Sequence, residues 1–298
     1  MISMTRRQLC AVLAVWRASG SAGRFRLALC NKTFQGKSFA ETCRLTRETG
    51  FTGIEIAPYT LSDDPATLAP SILAGMRATM AAEGVSYVGL HSVLTAPAGL
   101  SVTTPDAVVR RKSWDYFRRL IDVCAALGDN GTMVFLGNPQ RRTVNGATVA
   151  DAIARIKEGL TEVAPAAAAR HVTIMVEPLA PHLCDVINTL DKAMDVVRAV
   201  NSPAVRSMFD THNTAAETVP LDVLIRKYYR YIRHVHLNEL DGKHPGTGHF
   251  DFKTVMQTFK NLGYQGWMSV EAFSFEPDGV TVARESSQFI RKVEAQLD

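Results

Sequence analysis

The sequence lacks the signatures of several common classes of enzyme and binding protein. Its five cysteines are odd in number and form no CxxC pair, which suits a reducing compartment and argues against a cysteine metal site. It contains no glycine-rich phosphate cradle, GxSxG elbow or Cys–His pair, so neither a nucleotide cofactor nor a covalent nucleophile is supported. The net charge of +4 comes from scattered residues instead of a basic run, which argues against a nucleic-acid partner.

A long hydrophobic run is also missing. Within residues 1–24, Arg6 and Arg7 precede an apolar run that Arg17 interrupts, well short of the ~20 residues needed to cross a bilayer. A twin-arginine export signal can begin in this way, but we favour a short packed helix or a misplaced start of translation. We therefore expect a cytoplasmic protein with no membrane partner, in which residues 1–24 form an N-terminal extension; export is the alternative.

The composition is that of a globular protein, since 46% of the 298 residues are hydrophobic and 21% are charged. This length allows one α/β barrel or two domains of ~150 residues. From residue 25 onward, short apolar runs alternate with longer segments of helical period. The runs cover 26–29, 53–57, 86–90, 132–136, 172–176, 205–209, 234–237 and 267–270. These units predict a single (β/α)8 TIM barrel over residues 25–298, with strands buried on both faces.

The segments between these runs have the features of helices. Several open with Ser, Thr, Asp or Pro, which are favoured at N-caps and in first turns. Helices are predicted over 38–49, 65–83, 105–127, 148–170, 185–200 and 253–262. No linker rich in glycine or serine separates them, which supports one domain over two.

Polar residues close several of the predicted strands. The fifth run is followed by Glu177, the sixth by Asp210 and the eighth by Glu271. The seventh run contains His236 and, on the same strand face, His234. Because catalytic residues of a TIM barrel lie where the strands end, these side chains are expected at one rim. Carboxylates gathered there repel one another unless a cation neutralises them, and oxygen ligands with one histidine nitrogen suit Mn²⁺, Mg²⁺ or Co²⁺.

These residues lie in segments that resemble the sugar phosphate isomerase/epimerase superfamily, the xylose isomerase-like TIM barrels. The segments are GIEI at 53–56, VEPL at 176–179, FDTHN at 209–213, HVHLNE at 234–239, PGTG at 245–248 and GYQGWMSVE at 263–271. The ketose 3-epimerases are the nearest mechanistic model within it. That resemblance implies one divalent metal, Mn²⁺ before Mg²⁺ or Co²⁺. Its implied ligands are Glu177, Asp210, His236 and Glu271, with His236 preferred to His234.

The resemblance further implies that Glu177 and Glu271 act as the catalytic acid and base. A C–H group beside a carbonyl loses its proton only if the developing enediolate oxygen is stabilised, which a metal does. If the second glutamate returns a proton from the opposite face, the carbon is epimerised; return to the neighbouring carbon isomerises the sugar. The predicted function is a metal-dependent sugar isomerase or epimerase that acts on a ketose or modified sugar, alone or as a homo-oligomer.

The substrate-binding residues depart from those of the ketose 3-epimerases. Six positions after the metal histidine, where that group has an arginine, this chain has Gly242; six positions after the first ligand, where the group has a glutamate, it has Leu183. Three positions after the aspartate, where the group has a histidine, this chain has Asn213, and its histidine, His212, stands one position earlier. These changes disfavour free fructose, tagatose or psicose. They favour a modified sugar, a sugar acid, an inositol derivative or a keto-glycoside.

Further residues are predicted to bind substrate. His91 closes the third strand and can bind a sugar hydroxyl, although a buried histidine bonded to a backbone carbonyl is the alternative. Glu239 can orient a metal ligand or pair with Lys243, which lies in a loop of the kind that lines barrel sites but is often only solvated. With them, His212 and Asn213 complete the predicted substrate-binding set.

Two other groups stand near predicted strand ends. Residues 140–142, Gln-Arg-Arg, could bind a phosphate or carboxylate, but a solvated turn is favoured. Trp267, Phe273 and Phe275 flank Glu271 and are expected to pack the rim, where one of them can stack on a sugar.

Two rival functions use the same barrel. The larger subunit of the C-glycoside deglycosidases resembles this superfamily and expels an aglycone after the same first proton abstraction, together with a small β-rich second subunit. AP endonucleases hold a three-metal cluster that needs additional histidines. Here the fourth strand ends in Leu136, Gly137 and Asn138, and Asn213 stands where a histidine is needed, so DNA repair is disfavoured.

Overall fold

The computed structural model describes residues 25–135 and 138–298. The predicted N-terminal extension, residues 1–24, and the predicted strand end at 136 and 137 lie outside the described residues. Eight parallel strands form a closed barrel in chain order, which confirms the TIM-barrel prediction. The strands are β1 Arg26–Cys30, β2 Gly53–Ile56, β3 Ser86–Leu90, β4 Thr132–Phe135, β5 Thr173–Val176, β6 Val205–Asp210, β7 Ile232–Leu237 and β8 Trp267–Val270.

Helices follow the strands and cover the outside of the barrel. They are α1 Phe39–Glu48, α2 Pro70–Ala82, α3 Ala107–Leu127, the short α4 Asn138–Arg141, α5 Val149–Ala169, α6 Leu190–Val200, α7 Leu221–Tyr228, α8 Phe252–Asn261 and α9 Gly279–Glu294. Side chains cap several first turns: Ser38 accepts from the Glu41 backbone, and Thr148 forms a capping box with Asp151. No helix among the described residues combines the length and apolar character needed to cross a bilayer.

Two predicted helices are shorter than expected at their N-terminal ends. The prediction over 65–83 contains a 3₁₀ turn at Pro65–Thr67, and α2 begins only at Pro70, whose ring suits the first turn of a helix. In the segment predicted as a helix over 185–200, the observed helix α6 begins only at Leu190. There Thr189 has an extended backbone and accepts a hydrogen bond from the Lys192 backbone N–H, which starts the helix at that point.

Alternate residues of each strand face opposite sides, and the two sides differ in chemistry. Val176, Phe209 and Val235 belong to the large apolar core that includes residues of the helices. Met175 and Met208 form a separate small apolar cluster, together with Val134. Two positions after these methionines stand the predicted ligands, Glu177 directly after β5 and Asp210 at the end of β6, so strand pleating places both acids at the mouth of the barrel.

Candidate active site and metal centre

The structure brings together the four predicted metal ligands. Glu177, Asp210, His236 and Glu271 each offer one ligand atom, and these atoms all lie within 4.8 Å of one another in a buried group. The Nδ1 atom of His236 lies 2.8 Å from Glu271 Oε2, 3.6 Å from Glu177 Oε1 and 3.8 Å from Asp210 Oδ2. The imidazole therefore faces all three carboxylates at once.

His234 lies outside this group. Its Nε2 atom is 3.4 Å from Glu55 Oε2, whereas the Nε2 atom of His236 is 2.9 Å from the same oxygen. Because β7 places the two histidines two residues apart, His234 is one layer deeper in the barrel and His236 is at its mouth. The geometry therefore agrees with His236 as the nitrogen donor.

Glu55 is a buried acid at the candidate site whose contact with His236 is not predicted from the sequence. It lies on β2 with no exposed surface and accepts hydrogen bonds at Oε2 from His236 Nε2 and Cys30 Sγ, at 2.9 and 3.3 Å. A proton held on Nε2 leaves Nδ1 free to act as a ligand, which is how carboxylates orient metal-binding histidines. An acid within the fully buried run GIEI is the signal that could have identified Glu55.

Lys32 is a second residue that sequence reasoning missed. It lies in a 3₁₀ turn, Asn31–Phe34, that follows β1, and its side chain is buried. Its Nζ atom donates to Glu271 Oε1 at 2.8 Å and lies 4.6 Å from the centre of the Phe273 ring. Its position just after a barrel strand marks it as a candidate site residue, but a single lysine at such a position is usually solvated, so the sequence does not single it out.

The buried charges shift the acidities of the site. Burial raises the pKa of Glu177 to about 8, although His236 acts to lower it. For Glu271 burial also raises the pKa, but Lys32 and His236 outweigh burial and hold the pKa well below its usual range. Burial lowers the pKa of His236, whereas Glu55 and Glu271 together hold it well above the usual range. Protons on His236 and Glu177 thus reduce the repulsion among the acids when no cation is bound.

The donor set fits a divalent cation. Glu177 Oε1 is buried and has no hydrogen-bond partner among the described residues, and His236 Nδ1, although 2.8 Å from Glu271 Oε2, is not aligned to form a hydrogen bond with it; both atoms belong to the group within 4.8 Å. Buried polar atoms in folded proteins are nearly always satisfied, and a metal ion would satisfy both of these. Carboxylate oxygens with one imidazole nitrogen suit Mn²⁺, Mg²⁺ or Co²⁺.

Asn213 and His212 support Asp210 from the turn that follows β6. The Asn213 side chain donates to Asp210 Oδ2 at 2.8 Å and accepts from the Ala180 backbone at 2.8 Å. The His212 backbone N–H donates to Asp210 Oδ1 at 2.8 Å. The ring of His212 packs edge to face with Phe273, with 5.1 Å between ring centres. Both residues therefore hold the aspartate in place, and Asn213 also borders the cavity described below.

The other predicted substrate-binding residues divide into two groups. His91 lies at the site, with Nδ1 3.3 Å from Glu271 Oε1. In contrast, both carboxylate oxygens of Glu239 accept backbone hydrogen bonds, from Gly246 at 2.9 Å and Phe250 at 3.1 Å, and so shape the loop after β7. The exposed Lys243 pairs with Asp241 at 3.2 Å. The structure does not bring Glu239 or Lys243 to the wall of the cavity.

A cavity of about 360 Å³ opens beside the candidate ligands. One part of its wall is polar and the other is apolar, as expected for a pocket that holds a small ligand. The polar wall is formed by Lys32, Tyr59, His91, Ser92, Thr95, Glu177, Asn213 and Glu271, and the apolar wall by Val134, Pro139, Leu179, Leu183 and Phe273. Glu177 and Glu271 both border the same space, so one ligand can contact both carboxylates.

Phe273 occupies the space next to Gly242. Gly242 has a φ of +79°, and a Cβ atom there would lie 2.6 Å from Phe273 Cδ2. No side chain can be added at position 242 without displacing this ring. The absence of an arginine at this position is therefore coupled to a phenylalanine that fills the adjacent space.

Two expectations about neighbouring residues need correction. Arg141 is fully buried and donates to the Phe135 carbonyl at 3.2 Å, so the segment around it is not the solvated turn that the sequence favours. Trp267 lies at the start of β8, at the opposite end of that strand from Glu271, and Arg26 stacks 3.9 Å from its ring. It packs the far face of the barrel because a strand of four residues separates it from the mouth.

The barrel fold, together with the carboxylates and the histidine at its C-terminal mouth, places this chain among the TIM-barrel proteins that have an acidic candidate metal site. Within that class, residues 43–293 match the family model described as xylose isomerase-like TIM barrel, and the chain belongs to this family. The resemblance inferred from the sequence is thereby confirmed.

Several relatives of this chain are sugar epimerases by name. The chain is 25% identical over 237 residues to a probable ketose 3-epimerase of Synechocystis sp., which covers 76% of each chain. It is 24% identical over 233 residues to the fructoselysine 3-epimerase of Shigella flexneri, covering 75% of this chain and 81% of the relative. The structure of a 3-keto-D-glucoside 4-epimerase from E. coli superposes with a TM-score of 0.78 at 18% identity, covering 90% of this chain and 100% of the other. At that identity the structural likeness shows a shared fold.

Proposed function

We propose that this protein is a divalent-metal-dependent sugar epimerase or isomerase that moves a proton at a carbon beside a carbonyl group. The observation that carries this proposal is the convergence of Glu177, Asp210, His236 and Glu271 within 4.8 Å, with two glutamates on one cavity wall. Two relatives are named for ketoses and for fructoselysine, and these names support a small sugar as the substrate.

Glu177, Asp210, His236 and Glu271 would hold the metal, with Mn²⁺ preferred and Mg²⁺ or Co²⁺ as alternatives. When bound, the ion supplies positive charge to the oxygen of the substrate carbonyl. The chain supplies the proton transfers: one of Glu177 and Glu271 removes the proton and the other returns one. Asn213 keeps Asp210 oriented, Glu55 fixes the proton of His236 on Nε2, and the apolar part of the wall limits water.

The position at which the proton returns decides whether the reaction is an epimerisation or an isomerisation. A proton returned from the opposite face of the same carbon gives an epimer, whereas return to the neighbouring carbon gives the isomer. We further propose that the protein is cytoplasmic and forms a homo-oligomer.

A second candidate function is elimination from a keto-glycoside, as in the larger subunit of the C-glycoside deglycosidases. The apolar wall of Leu179, Leu183 and Phe273 favours it, because this wall can accept an aglycone next to the two glutamates. That reaction would use the same base and metal and would require a small second subunit. An AP endonuclease is less favoured, since Asn213 bonds to Asp210 where an additional metal-binding histidine would be needed.

Hydrogen exchange tests the proposal. Purified protein loaded with Mn²⁺ is incubated in D₂O with ketohexoses, fructoselysine and 3-keto-glucosides, and the products are analysed by NMR and mass spectrometry. We expect deuterium at one carbon beside the carbonyl and formation of an epimer or isomer. Release of an aglycone without an epimer supports the second function. Absence of deuterium from every compound in the panel contradicts both.

A further inference from the structure

Lys32 is a buried cation at the cavity that the proton transfers described above leave unused. Among the described residues that line the cavity, it is the one lysine or arginine. It is 8% exposed, and its ammonium group lies on the opposite side of Glu271 from His236: Nζ contacts Oε1, whereas His236 Nδ1 contacts Oε2, each at 2.8 Å. Lys32 therefore stands beside a candidate catalytic carboxylate without belonging to the candidate ligand set.

The ammonium group has more donors than the protein uses. An ammonium carries three N–H groups, and the hydrogen bond that the Lys32 ammonium makes among the described residues is the one to Glu271. The ring of Phe273 lies 4.6 Å from Nζ and covers one side of the group without accepting a conventional hydrogen bond. A buried cation with spare donors needs an acceptor, and the adjacent cavity is where one can bind.

The loop after β7 provides no comparable cation on this side of the site. Gly242 has no room for a side chain, because a Cβ atom would lie 2.6 Å from Phe273. The next residue, Lys243, directs its Nζ atom to Asp241 at 3.2 Å and is exposed. Within the described part of the chain, a positive side chain reaches the cavity from the turn after β1 and not from the loop after β7.

The charge of the site indicates what kind of ligand Lys32 meets. Ionised Glu177, Asp210 and Glu271 together are balanced by one divalent cation and the ammonium of Lys32. Glu55 adds a further buried carboxylate beneath His236. The site therefore holds no surplus positive charge with which to bind a phosphate or carboxylate.

We propose that Lys32 binds substrate, donating a hydrogen bond to a hydroxyl or carbonyl oxygen of a neutral keto sugar while it holds Glu271 against the cavity wall. This inference rests on the proposed function for the nature of the substrate. It names the class within that function: neutral sugars and neutral glycosides, in preference to sugar phosphates and sugar acids.

Equilibrium binding tests this role without requiring turnover. Full-length protein loaded with Mn²⁺ is titrated calorimetrically with D-fructose, methyl 3-keto-D-glucoside and D-fructose 6-phosphate. The variants are Lys32→Met, which removes the charge, and Lys32→Arg, which keeps it. Lys37→Met is the matched control, because Lys37 lies on the same connection but is exposed and pairs with Glu41 at the surface, 3.0 Å away. Metal content and melting temperature are measured for every variant.

We expect the neutral compounds to bind wild type and Lys37→Met equally. Binding to Lys32→Met should be about ten- to a hundredfold weaker, the usual effect of losing a hydrogen bond to a charged group, with unchanged metal content. Lys32→Arg should recover part of the loss, and the phosphate ester should bind wild type no more tightly than D-fructose.

Four results would overturn the assignment. Neutral compounds could bind Lys32→Met as well as wild type, or could fail to bind wild type at all. Lys32→Met could lose its metal, which would make Lys32 a support of the metal site. The phosphate ester could bind wild type more tightly and lose this advantage in Lys32→Met. If binding depends on Lys32 but no hydrogen exchange occurs in any compound, the role of Lys32 stands and the proposed epimerase function fails.

Discussion

The two sides of the barrel mouth contribute different things to the candidate site. Strands β5 to β8 provide the candidate ligands, which are Glu177, Asp210, His236 and Glu271. Strands β1 to β3 and the turns after them provide groups that contact those ligands. Glu55 bonds to His236, and both Lys32 and His91 lie within 3.3 Å of Glu271. One side can bind a cation, and the other supplies the groups that contact His236 and Glu271, whereas Asp210 is held from its own side by Asn213 and His212.

This division separates residues whose loss should abolish the chemistry from residues whose loss should weaken it. When a ligand is removed, the ion loses a bond, and no neighbouring residue can supply another in its place. A removed contact leaves the ligand present but less well oriented. Four predictions test the division, from the largest expected effect to the smallest.

The largest effects should come from the β5 to β8 side. Glu177→Gln and Asp210→Asn remove candidate ligands while keeping side-chain size, so metal content should fall from about one ion per chain to near zero. In Glu177→Gln, the loss of a general acid or base is also expected to lower kcat/KM by about 10²- to 10⁴-fold. Elemental analysis and hydrogen exchange measure both effects. Glu48→Gln is the control, because Glu48 is exposed on α1; equal metal content in all variants would refute the ligand set.

A smaller effect is expected on the β1 to β3 side. Glu55→Gln keeps a polar group but no longer favours a proton on His236 Nε2, so metal affinity should fall by about 10- to 100-fold without disappearing. His234→Asn should weaken binding less, since His234 is 3.4 Å from Glu55 and does not belong to the ligand group. Competition with a chelator gives both affinities. Complete loss of metal from Glu55→Gln would erase the distinction between the two sides.

The third prediction concerns pH. Glu177, with a pKa of about 8 in the metal-free protein, keeps a proton at neutral pH that a metal must displace. Metal affinity should therefore rise with pH up to about 8, by at most about tenfold per unit for this proton. Because the pKa is raised above its unfolded value, the stability that this proton adds to the metal-free protein is fully present below about 4.5 and lost as pH rises through about 8.

Chelator competition and urea unfolding between pH 5 and pH 9 measure the two dependences. Because Glu177→Gln should bind almost no metal, its comparison uses unfolding of the metal-free chain, whose stability should change less between pH 5 and pH 9 than that of wild type. A wild-type metal affinity that falls as pH rises, or an identical pH dependence of unfolding in the variant, would contradict the assignment of this proton to Glu177.

The smallest effect concerns the β7 to β8 loops, and it is an effect on stability. Gly242→Ala places a Cβ atom 2.6 Å from Phe273 and puts alanine at a φ of +79°, which should cost about 1–3 kcal/mol. Gly36→Ala is a matched control, because Gly36 has a φ of +89° but no atom within 4 Å of the added Cβ. Urea unfolding should show a larger loss for Gly242→Ala, and Phe273→Ala in the same chain should remove the difference. Equal losses at the two glycines would show that Phe273 does not fill this space.

Much of the fold follows from local patterns in the sequence. Each predicted strand overlaps an observed one, and the caps Ser38 and Thr148 start α1 and α5 where the sequence predicts helices. The errors occur where local pattern and backbone geometry disagree. The apolar stretch before Pro70 has a helical pattern, but a new helix starts at the proline because its ring suits a first turn.

The candidate ligands are also accessible to sequence reasoning, for a physical reason. In a TIM barrel, strand ends meet at one face, so residues that close successive apolar runs can be grouped together from their positions in the chain. Glu177 and Asp210 follow inward-facing residues of β5 and β6 at the strand period of two, which directs both to the mouth of the barrel. The choice between His234 and His236 needs either a family resemblance or the observed depth of each ring.

The sequence by itself determined the barrel, its strand order and the chemistry at the ends of four strands, because these depend on period and on the rule that strand ends converge. Only the tertiary structure decided which other side chains contact these strand-end residues. Lys32 and Glu271 are 239 positions apart, and Glu55 and His236 are 181 apart. These pairs form because closing the barrel places β1 beside β8 and turns Glu55 towards the interior. No local pattern encodes a contact that exists only after the first and last strands have joined.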